Sequence, residues 1–137
     1  MIYLLKIPIK TPGTKRKPHP LNLNFYRNAH YRTLHKMKVD YEILTQNQVA
    51  RLPPLQRISL HYVLFPGSFQ KVDISNVLSI VDKFFTDVLV HQGIIPDDSY
   101  DHVIQVSYSF GSITKGDPHV MVMVADEIPQ PRTKGAR

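Results

Sequence analysis

Between Asp73 and Gly93 apolar side chains recur at intervals of three and four, at Val77, Ile80, Val81, Phe84, Val88 and Leu89. A stripe with that period is an amphipathic α-helix that must bury one face. Asp73 or Ser75 can cap its start, and Gly93 stands where the left-handed residue after a helix belongs. The helix sits between segments of a different period. Ile58–Phe65 alternates and reads as a strand closed by Pro66–Gly67, and Val103–Phe110 and Val120–Ala125 read as two more, paired with each other across Gly111–Pro118. Met1–Ile9 is β-branched and aliphatic, with Pro8 marking an edge or an end. Leu34–Arg51 is helix-like, with Leu34, Met37, Tyr41, Leu44 and Val49 to one side and Pro53–Pro54 as its stop. The order β-α-β-α-β-β predicts an α+β fold, a small mixed sheet with helices on one face. Residues 1–128 are expected to make one domain, and 129–137 a basic, disordered tail.

Charge is unevenly placed on this frame. The 137 residues carry a net +6, yet Asp73–Asp101 holds six of the eleven acidic side chains and a single cation, Lys83. That segment is at −5 and the remainder at +11. A basic body attracts a polyanion, and an acidic centre inside it can hold a divalent cation against that polyanion. No apolar run reaches the ~20 residues of a membrane span, so no membrane partner is expected. With no cysteine, disulfides, thiolate ligands and a cysteine nucleophile are excluded, which fits a reducing compartment.

Each acidic group has a plain reading beside a chemical one. Asp73 is an N-cap or a metal ligand, and Asp97–Asp98 a solvated turn or a second ligand pair. The helix separates them, so they meet only if the segment after Gly93 returns along it. Sharing even two ions ~4 Å apart requires about 10 Å or less between Asp73 and Asp98. Asn76, Lys83 and Asp87 share one polar face, either as a solvent face with a Lys83–Asp87 ion pair or with Lys83 stabilising charge on phosphate. Asp82 reads as an exposed helix residue. Lys15, Arg16, Lys17, Arg27, Arg32, Lys36 and Lys38 are dense, with Phe25, Tyr26 and Tyr31 among them. Cations of this kind contact phosphates, and the aromatics either stack on splayed bases or belong to the core. His19, His30 and His35 have no zinc spacing.

Asp73, Ser75, Asn76, Lys83, Asp87, Leu89, Gly93, Asp97 and Asp98 together resemble the signature of the RusA family of Holliday junction resolvases, D-x-D-N-x-x-K-x-x-x-D-x-L followed by G-x-x-x-D-D. The Asn-rich, aromatic-basic opening Leu21–Thr33 and Thr114–Lys115–Gly116 are also similar. Two departures stand out. Ser75 replaces a carboxylate, a weak neutral ligand for a hard ion. Four extra residues, about one helical turn, lie between Asn76 and Lys83, which preserves their facing. Asp82, Asp97 or Asp101 could supply the missing charge.

The resemblance implies an endodeoxyribonuclease, dependent on Mg²⁺ or Mn²⁺, that acts as a homodimer and nicks four-way DNA junctions symmetrically in the cytoplasm of a bacterial or phage-infected cell. It implies Asp73, Lys83 and Asp98 as catalytic residues, and Asp73, Asp98, Asp97 and Ser75 around the metal. DNA contacts would come from Lys15, Arg16, Lys17, Asn24, Arg27, Arg32, Lys36, Asn76 and Lys115. The alternative is a junction or nucleic-acid binding protein of the same fold with weak or no cleavage. A basic structural protein is the third reading, and it leaves the acidic segment without a use.

Overall fold

The computed structural model describes residues 1–14 and 17–127. Lys15, Arg16 and the tail 129–137 lie outside the described residues. Among the described residues, six strands and three helices follow in the order β1 (Ile2–Ile7), β2 (Lys10–Thr11), β3 (His19–Pro20), α1 (Leu23–Asn28), α2 (Tyr31–Val49), β4 (Ile58–Phe65), α3 (Ile74–His91), β5 (Val103–Phe110) and β6 (His119–Asp126). The α+β class and the mixed sheet are as expected: four strands in the order β1-β6-β4-β5, with β4 parallel to β5 and the other pairs antiparallel. β2 and β3 make a separate two-residue ladder.

The expected pairing of Val103–Phe110 with Val120–Ala125 does not form. β6 lies between β1 and β4, while β5 pairs with the far side of β4. The burial patterns explain the choice. Val120, Val122 and Val124 are all fully buried, which suits an interior strand, whereas β5 is half exposed along its length, as an edge is. The connection between them crosses the end of β4, where Thr114 donates from its backbone N–H to Pro66 and Gly116 to Gly67.

α3 is the central element. Leu78, Ile80, Val81, Phe84, Phe85, Val88 and Leu89 are buried, a wider apolar face than the stripe predicts, because the helix packs on β4 and β5 and is covered by α1 and α2. Tyr41 of α2 and Tyr62 of β4 meet Phe84 and Phe85 edge-on, at 5.8 and 6.2 Å between centroids. On α2 the buried side is Met37, Tyr41, Thr45 and Val49, with Leu44 exposed instead. Thr45 is tolerated there because its hydroxyl donates to the Tyr41 carbonyl, 2.8 Å away. The caps of α3 match expectation: Asp73 Oδ1 accepts the Ser75 N–H at 3.1 Å, and Gly93 takes φ +75° just beyond the last turn. Among the described residues, no helix is long and apolar enough to cross a membrane.

Candidate active-site cleft between α3 and β5

The segment after α3 returns toward the middle of the helix and not to its start. Ile94 and Ile95 are buried, and the Ile94 N–H donates to the Leu89 carbonyl, which turns the chain back along α3. Asp98 thereby faces a cleft of about 610 Å³ lined by Lys38 of α2, Ser79, Asp82, Lys83, Thr86 and Asp87 of α3, Tyr100, and Val103 and Val106 of β5.

Asp73 is not part of this cleft. It caps the opposite end of α3 and lines a smaller cavity with Asn76, Gln70, Lys71 and Pro118. Nine residues of helix, about 13 Å of rise, separate it from Asp82. Of the expected group Asp73, Ser75, Asp97 and Asp98, only Asp98 lines this cleft, and Asp73 lines the other cavity. The acidic neighbour of Asp98 in the cleft is Asp82, whose pKa its charge raises. Among the described residues, no group of three or more His, Cys, Asp or Glu side chains is gathered in a way that could hold a metal.

Asp82, expected on the solvent side, is half-buried. Its Oδ1 accepts hydrogen bonds from the Tyr62 hydroxyl at 2.6 Å and the Thr86 hydroxyl at 3.1 Å, which leaves Oδ2 for another partner. Burial raises its pKa, the two hydrogen bonds lower it, and the nearby charge of Asp98 raises it again. Tyr62 stays protonated as the donor because complete burial, with the Asp82 charge added, pushes its hydroxyl well above the ordinary value. Burial, and after it Asp82, also raises Tyr108, whose ring packs edge-on against Tyr62. The sequence carried one sign of this. Asp82 lies among Leu78, Val81, Phe85 and Leu89, a charge set into the buried side of the helix.

Cations stand on the rim. Lys83 Nζ is 5.8 Å from the centre of the Tyr26 ring, and Lys38 Nζ lies 3.8 Å from Asp87 Oδ2. The expected Lys83–Asp87 pair is replaced by that exposed Lys38–Asp87 contact, worth little by itself. Ser79 adds a shielded hydroxyl with no hydrogen-bond partner among the described residues.

The remaining expected residues are dispersed. Asp97 is exposed and its Oδ1 accepts the Ser99 N–H at 2.8 Å. Hydrogen bonds from Ser99 hold its pKa below the ordinary carboxylate value, with a minor contribution from His102. Asn76 is engaged internally, its Oδ1 accepting the Leu23 N–H at 3.2 Å and so fixing the start of α1. Asn24, Lys17 and Arg27 are exposed, and Lys36 pairs with Asp40 at 2.6 Å. Arg32 lies 5.9 Å from the Tyr31 ring centre, and Lys115 lies 5.8 Å from that of Phe69. Phe25 and Tyr26 pack against the core, whereas Tyr31 is 69% exposed.

A paired carboxylate of raised pKa beside a second carboxylate suits a hard divalent cation, which offsets both the burial of Asp82 and its repulsion from Asp98. Asp82 and Asp98 are the residues of the cleft that fit such an ion. No family model matches the chain, and no curated protein does.

Proposed function

We propose that this protein is a divalent-metal-dependent endodeoxyribonuclease of branched DNA, with the four-way junction that the Asp73–Asp98 motif suggests as its substrate. Asp82 and Asp98, in place of Asp73 and Asp98, form its acidic centre. The observation that carries the reading is a carboxylate pair facing one cleft, with Lys38 and Lys83 on its rim, in a chain of net charge +6. Bound Mg²⁺ or Mn²⁺ would supply Lewis-acid stabilisation of charge on the scissile phosphate. Lys83 and Lys38 attract and orient that phosphate, and Lys83 stabilises charge developing on it. Tyr62 and Thr86 fix the carboxylate of Asp82, so that it presents one oxygen in a set direction. Lys17, Arg27, Arg32 and Lys115 extend the phosphate contacts beyond the cleft. The sheet face opposite the helices, with Leu4, Val63, Met121 and Met123 in its middle rows, offers a surface for the homodimer that symmetric nicking needs. Such an enzyme works where DNA is, in the cytoplasm of a bacterial or phage-infected cell.

The test is nicking of a synthetic four-way junction across a Mn²⁺ titration. Cleavage should be lost in Asp82→Asn and Asp98→Asn, reduced in Lys83→Ala, and retained in Asp73→Asn. Loss in Asp73→Asn with retention in Asp82→Asn would move the active site to the start of α3.

The placement of Asp73 in a different cavity from Asp98 favours one second reading, a junction-binding protein without cleavage. It predicts tight, salt-sensitive binding that is indifferent to Mn²⁺ and to all three Asp→Asn changes.

A further inference from the structure

The two walls of the cleft differ in chemistry. One carries Asp82, Asp98, Lys83 and Lys38. The other is built from Val103 and Val106 on the open edge strand and from the ring of Tyr100, a residue 82% exposed. Val106 is on the same side of the sheet as Leu60 and Tyr62, because its register partner on β4 is Leu60, whose side chain is buried. It is nonetheless 40% exposed, on a strand that ends the sheet. An apolar strip and a free aromatic ring thus stand opposite a charged wall.

That division matches a nucleotide and not a duplex. A phosphate seeks the lysines and the cation that a carboxylate pair would hold. A base taken out of its stack seeks an aromatic or apolar face. A paired, stacked base has no such face to offer. Tyr100 is two residues from Asp98, so base and phosphate would be held by one short segment. The Tyr31 ring, although exposed, packs tilted against His30 at 4.5 Å between centroids and does not line this cleft, which leaves Tyr100 as its aromatic.

We infer that the cleft takes one unstacked nucleotide of a DNA strand, with its base against Tyr100 and Val106 and its phosphate between the lysines and the carboxylate pair. Resting on the proposed function, this defines the substrate as DNA with an unpaired or readily splayed nucleotide at the cut, as at a branch point. Regular duplex is excluded from the cleft, and Tyr100 is a specificity-determining residue.

The experiment is binding of a single-stranded oligonucleotide containing 2-aminopurine, in Ca²⁺, beside a duplex of the same sequence. The wild type should bind the single strand and change the 2-aminopurine fluorescence as the base leaves its neighbours. Tyr100→Ala should weaken that binding by about five-fold or more and abolish the fluorescence change, with duplex affinity altered less than about two-fold. Tyr100→Phe, which keeps the ring, should restore both. Tyr100 is on the surface, so these variants leave the fold intact. Equal loss on single strand and duplex, or an unchanged fluorescence response in Tyr100→Ala, would overturn the inference. Because the assay reads binding and not cutting, it separates the two readings. A junction left uncut in Mn²⁺ removes the nuclease while the nucleotide site stands, and cleavage indifferent to Tyr100→Ala, with no fluorescence change in the wild type, removes the nucleotide site while the nuclease stands.

Discussion

Tyr62→Phe removes one oxygen atom and, with it, the 2.6 Å hydrogen bond that holds Asp82 Oδ1. The ring keeps its volume and its place against Phe85, so no cavity opens. What is lost is a bond to an ionised acceptor, worth about 1.5–3 kcal/mol, while the Thr86 hydroxyl remains on the same oxygen. At neutral pH we expect a loss of about 2 kcal/mol. At roughly 3–5 °C per kcal/mol for a chain of this size, Tm falls by about 6–10 °C. The loss depends on pH in a fixed direction. Burial raises the folded pKa of Asp82 above its ordinary 3.8, and the Tyr62 bond opposes that rise. The stability linked to Asp82 is therefore complete below 3.8 and declines as pH rises through the raised folded value. Without Tyr62's hydroxyl the folded pKa climbs further and the decline continues to higher pH. The gap between wild type and variant should thus widen from about 1 kcal/mol in acid, where only a neutral bond is lost, to about 2 kcal/mol at pH 7. Urea denaturation at pH 3.5 and pH 7 measures both values. A gap that is constant between them, or wider in acid, would refute the claim that Tyr62 stabilises an ionised Asp82.

Three other outcomes follow from the same geometry. Mn²⁺ at a hundred times its Kd should stabilise the wild type by about 2.7 kcal/mol and leave Asp82→Asn and Asp98→Asn unmoved, as read by thermal melts with and without the ion. Asp73→Asn should cost no more than a few tenths of a kcal/mol and Asp73→Ala about 1 kcal/mol, since asparagine caps a helix as well as aspartate does, and denaturation midpoints decide this. Gly93→Ala should cost about 1 kcal/mol through its φ of +75° alone, because an added Cβ there meets nothing within 4 Å, and the same denaturation curves test it.

How far the fold was legible depended on what each element asks of its neighbours. α3, β4 and the two caps of α3 rest on local periods and local hydrogen bonds, and those are written in consecutive residues. The placement of β6 was not legible, because adjacency in sequence favours pairing β5 with β6. Only the complete burial of Val120, Val122 and Val124, a tertiary quantity, reserves the interior position for β6. The site was half legible for a related reason. Lys83 and Asp98, both in the motif, line one cleft. The motif could not tell whether the chain after Gly93 would return as far as Asp73, and the place of Asp82 among apolar neighbours makes sense only with its donors, Tyr62 twenty residues earlier and Thr86 one turn later.

The position of β6 also governs when the molecule can exist. Its register joins Ala125 to Ile2 on one side and to Ser59 on the other, so the sheet has no middle until residue 126 has left the ribosome. Contacts this distant along the chain make folding slow. Until they form, the edges of β1 and β4 that β6 will cover stand open to pairing with other chains.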